Sequence, residues 1–263
     1  MIQLDSQLLQ ARLYHGLKSL LTPGDTLPPR FLEYAICEAF GLDHVGDGNF
    51  FADGVKGPNQ ASIKTRQLSP DVRKRTQGRD FQSHPDKFLG YSFNKKHDRV
   101  TNGLEFIQRR QAFDGIDDLT AEPQFIGAGS INGFVENIKE STDKFKTTTS
   151  YEIIVVHGYD NSLSKYIISI FWQEYKPLDP KKVIWKREKI SVAGYQEIKI
   201  GKEKKMVKIC ERYNGNCKRL ATNFIEYKNP TKYKESAQIQ LPIPDPWAFN
   251  KDATLTEIGL AQK

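Results

Sequence analysis

Asp53 and Lys64 are the two residues whose types and spacing could act on a phosphodiester bond. Hydrolysis of that bond needs a divalent cation held by hard oxygen ligands, an oriented water and a positive group beside that water. The segment Lys56-Gly57-Pro58-Asn59 predicts a turn between two strands, and such a hairpin would bring Asp53 close to Lys64. Asp53 could then bind Mg²⁺, with the carbonyl of Ile63 as a further ligand, while Lys64 orients the attacking water.

The second carboxylate for such a cation could come from the preceding segment. Pro28-Pro29 opens a predicted helix that runs from Arg30 to Phe40, and Gly41 ends it. Glu33 and Glu38 lie on the two flanks of its apolar stripe. Mg²⁺ keeps several of its waters in proteins, so two carboxylates and a carbonyl can hold it. Either glutamate therefore remains a candidate ligand.

These residues resemble a known family. Phe51-Ala52-Asp53 followed by Ala61-Ser62-Ile63-Lys64-Thr65 is similar to the Asp … (Asp/Glu)-x-Lys signature of the PD-(D/E)XK nucleases. This superfamily includes many type II restriction endonucleases and the mismatch-repair nickase MutH, whose helix glutamate precedes the aspartate by about the separation between Glu38 and Asp53. Ser62 stands where the family usually has an acid. The resemblance therefore favours Glu38 as the second Mg²⁺ ligand, ahead of Glu33.

The resemblance also implies an activity and its partners. It implies a sequence-specific, Mg²⁺-dependent endonuclease that cuts double-stranded DNA as a homodimer, with a cognate DNA methyltransferase in the same system. It implies a catalytic site of Asp53, Lys64 and Glu38. It further implies a restriction-endonuclease-like core, in which a helix and then two strands follow the motif.

The periodicity of apolar residues predicts an α/β fold. Helical spacing covers the first 21 residues and returns from Asn132, whereas residues 49–54, 60–68, 151–156 and 166–172 read as strands. The expected architecture is a mixed central β-sheet flanked by helices, with an antiparallel β-rich C-terminal part. We place a catalytic core at residues 1–175, with a basic insertion at about 69–130, and a hairpin-rich region at 176–263 packed on the same core.

Basic residues predict a nucleic-acid partner. The chain has 39 Lys and Arg against 32 Asp and Glu, which gives a net charge of +7. Arg and Lys neutralise phosphates, and Arg, Asn and Gln can read base edges. The candidate DNA contacts are Lys56, Asn59, Gln60, Arg66, Arg73, Arg75, Arg79, Lys95, Lys96 and Arg99. Residues 181–234 form a second basic region, whose hairpins could lie against the DNA backbone.

Three alternatives stay open at this point. A glutamate two residues before a lysine also occurs four times elsewhere, and Glu197 with Lys199 is the alternative catalytic pair among these, although a charge ladder on one face of a predicted strand would also explain that pair. The basic surface alone would suit a non-catalytic nucleic-acid-binding protein, or a nuclease for RNA or single strands.

Composition excludes several other classes. No run of about 18 apolar residues predicts a membrane span, and the N-terminus lacks the basic-then-apolar order of a signal peptide. Three scattered cysteines favour reduced thiols in a cytoplasm over a disulfide framework or a zinc site. The five histidines do not cluster at metal-ligand spacing, and His157 is interpreted as a structural residue at a turn.

Overall fold

The computed structural model describes most of the two predicted β regions and three helices. The described residues are 2–18, 27–45, 51–67, 101–102, 122–160, 165–189, 191–200, 203–213, 224–227 and 233–242. The helices are α1 (Ser6–Lys18), α2 (Pro29–Ala39) and α3 (Pro123–Phe145). The strands are β1 (Asp43–His44), β2 (Gly54–Lys56), β3 (Asn59–Gln67), β4 (Thr101–Asn102), β5 (Thr149–Asp160), β6 (Lys165–Glu174), β7 (Ile184–Arg187), β8 (Ser191–Ile200), β9 (Glu203–Tyr213), β10 (Phe224–Tyr227) and β11 (Glu235–Pro242).

The first sheet is mixed, as predicted. Its strand order is β1-β2-β3-β5-β6-β11. Strands β3 and β5 run parallel, and every other neighbouring pair is antiparallel. A parallel pair needs a crossover connection, and α3 lies in the chain between β3 and β5. The prediction of an α/β fold with a mixed central sheet is therefore confirmed.

One face of the first sheet packs against α1 and α2. Alternate residues of each strand point to the same face, so one apolar set from the strands meets the apolar stripes of the two helices. The buried members of this core include Leu9, Leu13, Leu32, Ile36, Ile63, Ile153, Val155, Ile168 and Ile170. The core holds α2 against the sheet close to the β2–β3 hairpin, because Ala61 and Ile63 of β3 belong to it.

The second sheet is antiparallel, with the strand order β4-β10-β9-β8-β7. It confirms the prediction of antiparallel strands in the C-terminal part. A second buried cluster joins this sheet to α3 through Ile126, Phe134 and Trp185. Gly127 makes the close approach possible, since a Cβ at that position would lie 1.9 Å from the Trp185 ring.

Helix α3 begins earlier than predicted. It starts at Pro123, whereas the sequence pattern predicted a start at Asn132, so its first turns fall inside the predicted basic insertion. Pro123 suits the first turn of a helix because its missing N–H has no partner there in any case. Ile126 and Ile131 are buried against the second sheet, which explains why the helix extends over a segment with weak periodicity.

His157 lies inside β5 rather than at a turn. Its side chain is 2% exposed, and its Nδ1 is 2.5 Å from the Tyr166 hydroxyl on the neighbouring strand. Burial lowers the pKa of His157 to about 4, because an imidazolium at this place would lose its hydration. The structural role predicted for this histidine fits the contact, although its place at a turn was wrong.

The predicted boundary at residue 175 stays a prediction, but two contacts cross it. Strand β11 returns to the first sheet and pairs with β6 over eight residues. Helix α3 contacts β7, β8 and β9 of the second sheet. No helix within the described residues is long and apolar enough to cross a membrane.

Candidate active site

Asp53 and Lys64 lie side by side on the β2–β3 hairpin. Gly57, with φ of 53°, occupies the left-handed region in the turn that closes the hairpin. Gly54 pairs with Ala61, so Asp53 stands opposite Ser62. The Nζ atom of Lys64 is 3.6 Å from Oδ2 of Asp53. The predicted pair is therefore together in the structure.

The Asp53 carboxylate is held by β3. Its Oδ2 accepts the backbone N–H of Ile63 at 2.6 Å and the hydroxyl of Ser62 at 3.3 Å. The Asp53 side chain is 26% exposed and that of Lys64 is 30% exposed, so solvent reaches both. Both donors and the Lys64 ammonium meet the same oxygen, Oδ2, and the Oδ1 atom accepts neither of these two bonds. A small cation could thus approach Asp53 without breaking its anchoring.

The backbone of Asp53 is fixed by its other neighbours. Its carbonyl accepts the N–H of Val45 at 2.9 Å and lies 3.6 Å from Sγ of Cys37 on α2. The next residue, Gly54, has no room for a side chain, since a Cβ there would lie 2.6 Å from the same sulfur. Helix α2 and β2 therefore touch at this point, and the Asp-Gly order is needed for the contact.

Glu33 lies in the electrostatic environment of Asp53 and Lys64. Its pKa is raised by burial first and by the negative charge of Asp53 second, while Lys64 and Arg30 act in the opposite direction. Helical spacing agrees with this placement, because Glu33 and Cys37 are four residues apart and therefore share one face of α2. Since Cys37 contacts the Asp53 carbonyl, that face points to the hairpin.

Glu38 faces elsewhere, which corrects its predicted placement. Its two carboxylate oxygens accept hydrogen bonds from Arg12 of α1 at 2.6 and 2.7 Å, and the Glu38 side chain is 43% exposed. The guanidinium lowers the pKa of Glu38. Residue 38 is rotated by about 100° from residue 37 around a helix with 3.6 residues per turn. The glutamate ranked second from the sequence, Glu33, is therefore the one of the two whose pKa responds to the charges of Asp53 and Lys64.

The Ile63 carbonyl points to the same side of β3 as Asp53. The N–H and C=O of one strand residue point to the same neighbouring strand, and the Ile63 N–H is bonded to the Asp53 carboxylate. Strand β2 begins at Gly54 and pairs with β3 only over Asn59, Gln60 and Ala61. The Ile63 carbonyl therefore lies where the ladder of β2 and β3 has ended.

The donor set fits a hard cation. It consists of two carboxylates, from Asp53 and Glu33, and one backbone carbonyl, from Ile63, and Mg²⁺ prefers such oxygen ligands. The charge of Asp53 makes ionisation of Glu33 less favourable, and a divalent cation between them would remove that cost. Among the described residues, no group of three or more His, Cys, Asp and Glu side chains is arranged to hold a metal ion. A metal site here would depend on the Ile63 carbonyl and on water molecules as further ligands.

The predicted DNA contacts are only partly described. Lys56 is exposed at the end of β2, and Asn59 at the start of β3 is half-buried. Arg66 belongs to β3 by its backbone, whereas its side chain lies outside the described part. The remaining predicted contacts lie outside the described residues: Arg73, Arg75, Arg79, Lys95, Lys96 and Arg99.

Gln60 is not available to DNA, which corrects another prediction. Its side chain is buried between β3, β5 and α3. The amide nitrogen donates to Thr142 at 3.0 Å and to Ser150 at 2.9 Å, and the amide oxygen accepts the Ser141 hydroxyl at 2.7 Å. Gln60 therefore joins α3 to the sheet beside the hairpin.

The competing pair at Glu197 and Lys199 has a simpler explanation. Glu197 forms an ion pair with Lys204 of the opposite strand at 2.7 Å, and its side chain is 50% exposed. This is a solvated cross-strand contact of the kind that hairpins commonly carry.

A scan of protein-family models, a search of curated proteins and a search of solved structures each returned no significant match to this chain.

Proposed function

We propose that the protein is a Mg²⁺-dependent endonuclease that cuts double-stranded DNA, with its site at Asp53, Glu33 and Lys64. The observation that carries the proposal is the distance of 3.6 Å between Lys64 Nζ and Asp53 Oδ2, at the open end of a two-strand ladder. A carboxylate pair beside a lysine is the combination that phosphodiester hydrolysis needs.

The roles follow from the contacts. Asp53 and Glu33, with the Ile63 carbonyl, would hold Mg²⁺, which supplies charge neutralisation of the scissile phosphate. Lys64 would donate a hydrogen bond to the attacking water and stabilise the negative charge that develops on the phosphate. Ser62 stands where the family that this site resembles usually has an acid. Its hydroxyl donates to the Asp53 carboxylate and keeps it oriented. That missing acid is supplied, in this proposal, by Glu33.

The order of elements supports the proposal. Among the described elements, the hairpin is followed by the short strand β4 of the second sheet and then by α3, β5 and β6. The last three have the helix-then-two-strands order expected from the resemblance to the PD-(D/E)XK nucleases. Strand β5 lies directly beside β3 and parallel to it. The hairpin is therefore part of a sheet that α1 and α2 cover on one face. Such a sheet can hold the side chains of Asp53 and Lys64 at a fixed distance.

Charge supports duplex DNA as the substrate. The net charge of +7 would attract a polyanion, and the exposed Lys56 ends β2, next to the turn that joins the two strands of the site. The resemblance further suggests a homodimer that cuts both strands of a symmetric site, and a DNA methyltransferase as the partner in a restriction system. Both remain parts of this proposal.

The direct test is incubation of the purified protein with unmethylated phage DNA, in Mg²⁺ and in EDTA. Discrete fragments that need Mg²⁺ are the expected result, and Asp53→Asn should abolish them without preventing the protein from shifting the DNA in a gel. Intact DNA in Mg²⁺, with an equal gel shift from both proteins, would instead favour the non-catalytic nucleic-acid-binding protein.

A further inference from the structure

Strands β8 and β9 continue beyond the second sheet as a two-stranded ribbon. Strand β7 pairs with β8 only up to Tyr195, and β10 pairs with β9 only up to Cys210. The pairing of β8 with β9 goes on from Gln196–Val207 to Ile200–Glu203. Within the described residues, no third strand pairs with this part. We call residues 196–207 the distal ribbon.

The distal ribbon leaves the sheet at a fixed base. The register shifts between Gly194 and Tyr195, and such a β-bulge bends and twists the strands. Just beyond the shift, Lys208 binds Glu188 at 2.8 Å and also contacts Glu211, which is buried. These charges hold the base of the ribbon to the β7–β8 connection. The ribbon is thus an extension of an ordered sheet.

The distal ribbon is exposed on both of its faces. Glu197, Glu203, Lys204, Lys205 and Met206 are all exposed. Residues 204 and 205 are adjacent in a strand, so their side chains point to opposite faces. A two-stranded hairpin is marginally stable in water by itself. A ribbon whose described side chains include an exposed charge on each face is therefore suited to gain stability from a partner.

The charges indicate which partner the ribbon suits. The sequence from Gln196 to Val207 has four lysines and two glutamates. Lysines on an exposed strand discourage pairing with another protein strand, and two copies of this positively charged ribbon would repel each other. The phosphates of a nucleic acid have the complementary charge. Five residue pairs extend roughly 17 Å, and the major groove, about 12 Å wide, admits a two-stranded ribbon.

We propose that the distal ribbon enters a groove of duplex DNA, where Lys204 and Lys205 exchange their exposed ion pairs, with Glu197 at 2.7 Å and Glu203 at 3.2 Å, for contacts with the phosphates on its two walls. The choice of duplex DNA rests on the proposed function. The base of the ribbon is joined to the candidate site by one apolar cluster, since Val192 and Cys210 pack in the same cluster as Phe51, two residues before Asp53. A duplex held by the ribbon would thus be held by the body that positions Asp53.

The test is equilibrium binding of a fluorescent DNA duplex, measured in EDTA so that no cleavage occurs. Each phosphate contact adds about 0.9 to the slope of log affinity against log salt concentration. Lys204→Ala/Lys205→Ala should therefore lower the magnitude of that slope by about two and weaken binding at low salt. Lys139→Ala/Lys176→Ala is the matched control, because it also removes two exposed lysines, and both lie outside the second basic region of residues 181–234. It should leave the slope unchanged.

A ribbon truncation provides a second variant. Replacement of residues 197–206 by Asn-Gly joins Gln196 to Val207, a pair of the same hydrogen-bonding type as Ile200–Glu203, the last described pair of the ribbon. It should match or exceed the loss caused by the double lysine variant. Equal slopes for the parent, the lysine variants and the truncation would overturn the proposal. The proposal would also be overturned if the truncation converted a dimer to a monomer while the salt slope of DNA binding per protomer stayed unchanged. The ribbon would then serve self-association.

Failure of the ribbon and failure of the proposed function can be told apart. A protein that binds DNA through the ribbon but never cleaves it would keep this inference and overturn the nuclease. A protein that cleaves DNA, and whose two ribbon variants keep the parental salt slope, would keep the nuclease and overturn the ribbon inference. Absence of DNA binding by the parent protein would overturn the ribbon inference.

Discussion

At the scale of single residues, the site depends on which side of one helix a glutamate occupies. Glu33 and Glu38 are both on α2, and both flank its apolar stripe in the sequence. Glu38 is satisfied by Arg12, whereas Glu33 has a raised pKa because burial and the charge of Asp53 oppose its ionisation. A group whose ionisation is costly beside another carboxylate is typical of a functional site.

Exchange of each glutamate for glutamine separates their roles. Glu33→Gln should abolish Mg²⁺-dependent cleavage, and Glu38→Gln should leave it nearly intact. A raised pKa means that Glu33 favours the folded state while it is protonated, and that this contribution is lost as pH rises through its folded pKa. At neutral pH, Glu33→Gln should therefore raise the melting temperature of the metal-free protein and remove any further rise on addition of Mg²⁺. Differential scanning fluorimetry with and without Mg²⁺ measures both effects.

The control for that experiment lies on the same helix. Glu38→Gln removes an exposed ion pair, so it should lower the melting temperature slightly and preserve the response to Mg²⁺. Loss of the Mg²⁺ response in Glu38→Gln, with a normal response in Glu33→Gln, would reverse the assignment of the two glutamates.

His157 makes the stability of the protein depend on pH. Its folded pKa is about 4, against 6.5 for an unperturbed histidine, so the unfolded chain takes up a proton that the folded state excludes. Stability should therefore fall as pH drops from 6.5 to 4, by on the order of 3 kcal/mol from this residue. His157→Gln should be less stable at pH 7 but lose less on acidification. Urea unfolding at pH 7, 5.5 and 4.5 tests this, and parallel curves for parent and variant would contradict it.

At the scale of elements, α3 is the support that connects the two sheets. Ser141 and Thr142 near its C-terminal end bond to Gln60 of β3, and Ile126 near its start packs on the second sheet. Gly127 sets the distance between α3 and β7, since the Trp185 ring occupies the place of any side chain there. A shift of α3 would consequently disturb both the hairpin at the site and the base of the distal ribbon.

Substitution of Gly127 tests that packing. Gly127→Ala should destabilise the fold by about 1–3 kcal/mol, because the new methyl group overlaps the indole and the helix must move. Trp185→Leu should cost less in the Gly127→Ala background than in the parent, since the smaller side chain leaves room for the methyl group. Chemical unfolding of the four proteins measures the coupling, and strictly additive losses would show that the two positions do not touch.

Strongly periodic elements could be predicted from the sequence, whereas contacts between elements could not. Alternation and the Gly57-Pro58 turn predicted the hairpin of Asp53 and Lys64, because strand period and turn chemistry are local properties. The start of α3 at Pro123 was missed, since its first turns are stabilised by the second sheet rather than by their own pattern. The burial of Gln60 was missed for a related reason, because its partners are more than 80 positions away in the chain.

At the scale of the whole molecule, two sheets share one helix, and the two proposals assign a different task to each sheet. The mixed sheet carries the candidate site at the end of the β2–β3 ladder, and the antiparallel sheet carries the distal ribbon. A positive net charge of +7 favours approach of DNA to either part. Binding and cleavage should thus be separable by mutation, because the lysines of the ribbon and the lysine of the site lie on different sheets.

The most direct measurement is the single-turnover cleavage rate of Lys64→Ala, at saturating protein and in Mg²⁺, beside Lys182→Ala and the parent protein. If Lys64 orients the water as proposed, its loss should lower the rate by on the order of 10² to 10⁴. The affinity of the same variant for DNA in EDTA should change little, and Lys182→Ala should cleave as the parent does. Cleavage by Lys64→Ala at the parental rate would contradict the site, since Lys64 would then be an ordinary strand residue.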